Sequence, residues 1–486
     1  MITHADTAVK QPTLVLNVVG LCPAYLGPHT PSLSKLEAEG VCRPLRTVTP
    51  AVTCSVQATF LTGLSVEDHG IVGNGWYFRD TSEVRFWCQS NRLIQGEQIW
   101  QAAKRQDANF RGANLFWWFN MYSEASIGVT PRPMYPADGR KIPDIYTEPP
   151  ELRHVLQADL GRFPLFNFWG PTASIASSKW IAQCTNKLLR SSKPDLAMVY
   201  LPHLDYDTQR YGPRSPQAFA ALREVDALVG ELVDEAKKCG YAVVVLSEYG
   251  LTEVRRGIEI NRVLRRAGLL RVREELGREL LDAGASEAFA VADHQIAHVY
   301  VRRSERIEEV KQLVASIDGV EGVFDRSEQR TYQLAHARSG ELVALARSDR
   351  WFCYYYWLDD DRAPDFARCV DIHRKPGYDP VELFLDPAIP FPRLKVARKL
   401  LAKKLGQRVL MDLIPIDTDQ VHGLVKGSHG RPTDELVDGP ILISSDPAFD
   451  LPEVVEATEV KSILLEHVYG AQIARRLSPP HVQLGH

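Results

Sequence analysis

Cysteine is sparse and unpatterned in this chain. Its eight cysteines, at positions 22, 42, 54, 88, 184, 239, 353 and 369, include no CxxC pair, so the sequence offers neither a disulfide framework nor a thiolate zinc site. Long apolar runs are also missing: nothing approaches the roughly twenty residues that a membrane-spanning helix requires. The first residues, MITHADTAVKQ, contain neither a basic n-region nor an apolar h-region, and a cytoplasmic location is expected on that ground. Charge of one sign is not in excess either. With 57 Lys and Arg against 61 Asp and Glu, the formal net charge is −4, which argues against a general nucleic-acid or membrane-surface binder, although a local basic pocket remains open to a phosphate. Internal repeats and low-complexity tracts are absent.

What the chain does have is material for a large core: 486 residues, 45% hydrophobic and 24% charged. That length accommodates two to four units, or one large α/β domain carrying insertions. Apolar runs suited to buried strands occur at 13–19, 196–201, 242–246, 298–301 and 441–444, with helical patterns between several of them. The alternation predicts a mostly parallel sheet with helices on both faces. Ligands in such sheets gather beyond the carboxyl ends of the strands. Val19, Asp205, Glu248 and His429 all lie at or near such ends, or in the loop before the last run.

The most concentrated signal is PAVTCSVQATFLTGLSVEDHGIVGNGWY, residues 50–77. Thr53 ends a short apolar approach and opens a run whose spacing suits a helix N-terminus, where free N–H groups and the positive end of the dipole meet an anion. Asn74 follows in a Gly-rich turn, its amide placed to donate to a developing oxyanion. Taken alone, the two residues read first as a helix cap and a left-handed turn residue. Cys54, beside Thr53, reads as a small buried neighbour, with a nucleophilic role as the alternative.

This segment resembles the nucleophile region of nucleotide pyrophosphatase/phosphodiesterases of the alkaline phosphatase superfamily. Thr53, Thr62-Gly63-Leu64, His69-Gly70-Ile71 and Asn74 fall in step with that family's pattern, with Val66 in place of its Pro. Further matches follow in chain order at DYDTQRYGP (205–213), SEYGL (247–251) and GSHG (427–430). The resemblance implies one alkaline-phosphatase-like α/β domain over residues 1–486, a mostly parallel sheet sandwiched by helices. Two insertions are expected: an aromatic, proline-rich cap at 80–195, which ordinary core packing explains equally well, and a subsidiary segment at 325–420. Within the latter, the basic run KVARKLLAKKLG reads as a solvated helix face whose lysines are also free to meet an anionic partner.

The resemblance further implies a threonine nucleophile and two zinc ions, and here the sequence departs from the pattern. The family's strand-end Asp falls on Val19, its Asp-x-x-x-His pair on Asp205 and Gln209, its Asp-His pair on Glu248 and Tyr249, and its late His on His429. Val, Gln and Tyr are poor zinc ligands, so the usual two-zinc centre is not expected. Three repairs are open. One divalent ion, Mn²⁺, Mg²⁺ or Zn²⁺, sits on Asp205, Glu248 and His429. Substitute ligands come from His294, ranked first, or from His203, Asp207, Asp293, Asp371, His373 or Asp379. Or the site is metal-free, with Gln209, Arg210, Tyr249 and Asn74 forming a hydrogen-bonding substrate pocket. The expected function is a phosphodiesterase/pyrophosphatase-like hydrolase acting on a small, phosphorylated molecule through this altered site. The alternatives are a lyase, isomerase or transferase on the same scaffold, or a non-catalytic binding protein.

Overall fold

A computed structural model describes residues 10–477; residues 1–9, on which most of the expectation of no leader rests, lie outside it. Two sheets carry the fold. The first begins with β1 (Thr13–Val18), β2 (Val41–Arg46), β3 (Gly112–Leu115), β4 (Ile127–Pro131), β5 (Ile145–Glu148), β6 (Leu196–Leu201) and β7 (Ala242–Leu246). The chain then leaves to build β8 (Ala288–Asp293), β9 (Ile296–Val301), β10 (Val320–Asp325) and β11 (Leu342–Ala346), and returns with β12 (Ile441–Ser444) and β13 (Val455–Glu456). The first sheet has nine strands in the order β13-β2-β12-β7-β1-β6-β3-β4-β5, and the second has four in the order β8-β9-β11-β10.

At the centre of the large sheet, β1 lies parallel to both β6 and β7. Every residue of β1 and β6 is buried, as expected of strands covered on both faces, and their near-continuous apolar sequences answer to that requirement. The sheet is mostly parallel, but β12 enters antiparallel beside β7 and β2. The apolar run 298–301 belongs to β9, in the antiparallel second sheet. The aromatic stretch expected as an inserted cap is built into the core: β3, β4 and β5 form one edge of the central sheet. A short strand ends at Phe352, after which Tyr354, Tyr355, Tyr356 and Trp357 are wholly buried in the second apolar core.

Four helices shape the cleft and the surface: α1 (Thr53–Thr62), α2 (His203–Tyr211), α3 (Pro216–Lys238) and α4 (Pro392–Lys404). The start of α3 is set by Ser215, whose hydroxyl accepts the Ala218 N–H at 3.1 Å, and by Pro216 in the first turn. Among the described residues no helix is long and apolar enough to cross a membrane.

A buried ion cluster lies beneath the junction of the two sheets. Lys375 is 1% exposed and its ammonium touches Asp379 and Glu382, each at 2.7 Å, while Trp169 Nε1 donates to the other oxygen of Glu382 at 2.6 Å. Removing the cation strands two carboxyl groups out of water. Lys375→Met is expected to destabilise the protein by about 3–5 kcal/mol, read from urea unfolding; a change within experimental error would show that the cluster is not what holds this region.

Candidate active site

The cleft forms where the heads of β1, β6 and β7 meet the hairpin of the second sheet. Thr53 is the first residue of α1 and is 3% exposed. Its hydroxyl lies 3.1 Å from the Tyr249 phenol and borders Glu248 and Tyr200. Asn74 braces the helix start: its Oδ1 accepts the Cys54 N–H at 3.0 Å, and its Nδ2 and backbone N donate to Asp293 at 3.1 and 2.8 Å. The Asn74 Nδ2 group carries a second hydrogen beyond the one given to Asp293.

The carboxyl groups are held by amides. Asn17 Nδ2 and Gln57 Nε2 both donate to Glu248 Oε1 at 2.6 Å, and Gln57 is itself fixed by the Trp118 N–H at 2.7 Å. Gln209 Nε2 donates to Asp205 Oδ2 at 2.7 Å and its Oε1 accepts from the Tyr378 phenol at 2.9 Å. Asp205 Oδ1 and Glu248 Oε2 are buried without a partner. Burial pushes the Asp205 carboxyl up to about 7 and that of Glu248 up to about 8, because a charge removed from water is penalised.

Four rings stand in a column through the cleft. Tyr378 stacks on His294 with centroids 3.6 Å apart, His294 lies 3.7 Å from His429, and His429 stacks on Tyr249 at 3.6 Å. His429 Nδ1 donates to the Ala51 carbonyl at 2.8 Å, just ahead of α1. His294 Nδ1 bonds Asp293 Oδ1 at 2.8 Å, leaving its buried Nε2 without a partner. Burial holds both imidazoles well below their usual range, which favours their uncharged form. His294 is the first turn residue of the β8–β9 hairpin and has φ 61°, a place where glycine is the usual occupant. The glycines of GSHG are demanded by close approach. A Cβ on Gly430 would lie 2.9 Å from Gln295 N and 3.3 Å from His294 Cβ, and one on Gly427 would lie 2.2 Å from Thr208 O.

Thr53, Asn74, Asp205, Gln209, Glu248, Tyr249, His294 and His429 fall in one connected network, whereas Arg210, also expected in the pocket, directs its guanidinium to Asp207 and to the carbonyls of Gly170, Ala173 and Leu383. The other candidate ligands have different partners: His203 bonds Glu224 at 2.7 Å, Asp207 bonds Arg210 at 2.8 Å, His373 faces the Phe86 carbonyl at 3.3 Å and Asp379 is paired with Lys375. Tyr378, Asn17, Gln57 and Trp118 complete the network without any local sequence signal; the nearest hint to Tyr378 is its neighbour Asp379 in the DIHRKPGYD run.

The two-zinc ligand set does not fit these side chains. Val19 is wholly buried, the Tyr249 phenol is engaged by Thr53, and Gln209 turns its N–H toward Asp205. Among the described residues no group of three or more His, Cys, Asp and Glu side chains is placed to hold a metal ion.

Residues 13–379 match the family model for type I phosphodiesterase / nucleotide pyrophosphatase. A pyrophosphatase/phosphodiesterase of Schizosaccharomyces pombe is 28% identical over 258 residues, covering 50% of this chain and 46% of that protein. Human ectonucleotide pyrophosphatase/phosphodiesterase family member 1 is 26% identical over 259 residues, covering 50% of this chain and 24% of the human one. The chain thus spans less than half the length of these curated relatives. Among solved structures, phosphonoacetate hydrolase from Sinorhizobium meliloti superposes with a TM-score of 0.59 at 18% identity, covering 96% of both chains. Murine ectonucleotide pyrophosphatase/phosphodiesterase 5 does so with a TM-score of 0.58 at 16% identity, covering 94% of this chain and 95% of that one. At these identities the likeness to solved structures is one of fold.

From the donor set, dialysed protein is expected to carry fewer than two equivalents of zinc by elemental analysis. Two stoichiometric, tightly held zinc ions would overturn the assignment of Tyr249 and Gln209 as hydrogen-bonding groups.

Proposed function

The chain belongs to the type I phosphodiesterase / nucleotide pyrophosphatase family, and from that premise we propose that it is a hydrolase of small phosphorylated or phosphonylated molecules, with Thr53 as nucleophile in an altered site. The observation that carries this reading is the position of Thr53: a hydroxyl at the N-terminus of α1, braced through Asn74 and bordered by Glu248. A helix N-terminus favours the anionic group under attack.

In the first step the Thr53 oxygen bonds to phosphorus as the bond to the leaving group breaks, and the hydroxyl proton passes to Glu248. Burial raises that carboxyl up to about 8, so only its ionised fraction takes the proton and the step is expected to quicken as pH rises toward that value. Water then attacks phosphorus, the bond from phosphorus to the Thr53 oxygen breaks, Glu248 returns its proton to that oxygen, and the proton lost by the water leaves on the product. The remaining amide hydrogen of Asn74 supports the oxyanion. The neutral His294 and His429 leave the cleft without an imidazolium charge, so hydrogen bonds from amides and phenols hold the phosphoryl group. Asp205 Oδ1 and Glu248 Oε2 are the two open oxygens that a single hard cation such as Mg²⁺ or Mn²⁺ would take up. Trp87, Trp118, Trp169 and Tyr378 stand beside this network, with Trp87 and Trp118 centroids 4.7 Å apart and Trp169 and Tyr378 5.7 Å apart; they offer an apolar wall to the rest of the substrate. The side chains around Thr53 are so deeply buried that substrate reaches it only when some of this wall moves aside.

A panel of aryl phosphodiesters, nucleotide pyrophosphates and phosphonoacetate, assayed with and without Mg²⁺, Mn²⁺ and Zn²⁺, tests the reading. Thr53→Ala is expected to abolish turnover of whichever substrate is processed, with the melting temperature retained. Asn74→Ala should lower turnover by on the order of a hundredfold. Aryl esters should be processed poorly even by the wild type; brisk zinc-dependent hydrolysis of them would contradict the altered site. Activity that survives Thr53→Ala would remove the hydroxyl from the chemistry. The phenol engaged on Thr53 favours a second reading, a non-catalytic ligand-binding protein, and binding by the wild type without turnover of any panel member would establish it.

A further inference from the structure

A basic arm projects from the second half of the chain. Between Asp386 and Asp412 there is no acidic residue, while Arg393, Lys395, Arg398, Lys399, Lys403, Lys404 and Arg408 are all present. The helix α4 forms the body of this arm, and none of its residues is buried. Its ends are tied to the protein: Asp386 N donates to the Leu413 carbonyl at 2.8 Å, and Lys395 and Lys399 reach Asp412 at 3.3 and 2.5 Å. Arg408 donates to the Ala137 carbonyl at 3.0 Å. The opposite face is largely open. Phe391, Leu394, Leu401 and Leu405 are 70%, 67%, 57% and 72% exposed, and at about 100° per residue they fall on one stripe of the helix. Arg398 lies within that stripe and Lys404 near it. Among the described residues Arg393, Arg398, Lys403 and Lys404 take part in no ion pair.

We propose that this face docks the protein on an anionic lipid surface. Exposed leucines in a row are costly in water and need an apolar partner. Unpaired cations beside them require that partner to be anionic as well. A bilayer containing acidic lipid supplies both within one interface, apolar acyl chains bordered by negative headgroups, and it does so without the fitted pockets that a folded protein partner would need. The net charge of −4 over the whole chain does not oppose this, because screening confines the interaction to charges within about 10 Å of the surface.

The test is flotation of the full chain with vesicles of phosphatidylcholine alone and of phosphatidylcholine with phosphatidylserine. Binding is expected only to the phosphatidylserine vesicles, weakening as salt rises. A triple variant, Leu394→Ser, Leu401→Ser and Leu405→Ser, and a double variant, Arg398→Glu and Lys404→Glu, should each lose on the order of tenfold or more in partitioning. Their melting temperatures should match the wild type, since the altered leucines are already more than half exposed. Equal recovery of wild type and variants, or no dependence on acidic lipid, overturns the proposal. So does a dimer by light scattering that the leucine changes dissolve, which would make a second copy of this chain the occupant.

Discussion

A phenol and an imidazole lying face to face, 3.6 Å apart and 8° from parallel, hold this cleft in register. Tyr249 comes from the head of the central sheet and His429 from the short GSHG segment, and each is fastened at its far side, Tyr249 to Thr53 and His429 to the Ala51 carbonyl. The pair is continued by His294 from the second sheet and Tyr378 from the segment after it. Four stretches of chain far apart in sequence thus meet through stacked rings. The column fixes how the second sheet sits on the first, which in turn decides that Asp293 reaches Asn74 and that Asn74 reaches the start of α1. Because Gly430 and Gly427 admit backbone where a Cβ would collide, the approach this stack requires is written into the chain.

The same closeness governs the electrostatics. Asp205, Glu248 and Asp293 are all out of water, and burial raises each of them, Asp293 up to about 6. Carboxyl groups in that condition need hydrogen bonds, a proton or a cation. Here amides meet much of the need: Asn17 and Gln57 serve Glu248, Gln209 serves Asp205, and Asn74 serves Asp293. Where a two-metal clamp would concentrate positive charge, this cleft distributes dipoles. Under the proposed function such a site would pull more weakly on a phosphoryl group, with its dipoles already oriented before substrate arrives, the condition under which fixed dipoles contribute most.

How much of this architecture is legible in the sequence depends on the range of each interaction. The central strands are legible because a strand buried on both faces needs an unbroken apolar run, and TLVLNV, LAMVYL and AVVVL are such runs. Thr53, Asn74, Asp205, Glu248 and His429 are legible because motif spacing carries them. The losses at Val19, Gln209 and Tyr249 are visible as missing ligands, yet what Tyr249 does instead depends on the His429 ring, far along the chain. Tyr378, Asn17 and Gln57 have no signal for the same reason: their partners are distant in the chain, and nothing local distinguishes a Tyr that stacks on a histidine from one that fills a core. The composition of the aromatic stretch after residue 80 suggests a cap, but β3, the first of its strands in the central sheet, pairs with β6, a matter of register that composition does not encode. His203, Asp207 and Asp379 are chemically suitable ligands whose nearest neighbours, Glu224, Arg210 and Lys375, satisfy them otherwise.

The nearly balanced total charge also takes on a structural meaning. It arises from a basic arm without acidic residues and a body that carries the compensating excess of carboxylates, not from uniform mixing. Within the cleft, burial disfavours charge on the histidines and the carboxyl groups alike. An anionic substrate would therefore be recognised only at contact distance, by the helix N-terminus and the amide donors. The arm is the reverse case: Arg393, Arg398, Lys403 and Lys404 take part in no ion pair among the described residues, so under the proposed docking they act on an anionic surface within a Debye length. One chain thus separates the two uses of electrostatics, keeping unscreened short-range dipoles for the cleft and screened exposed charge for the surface that faces away from its own core.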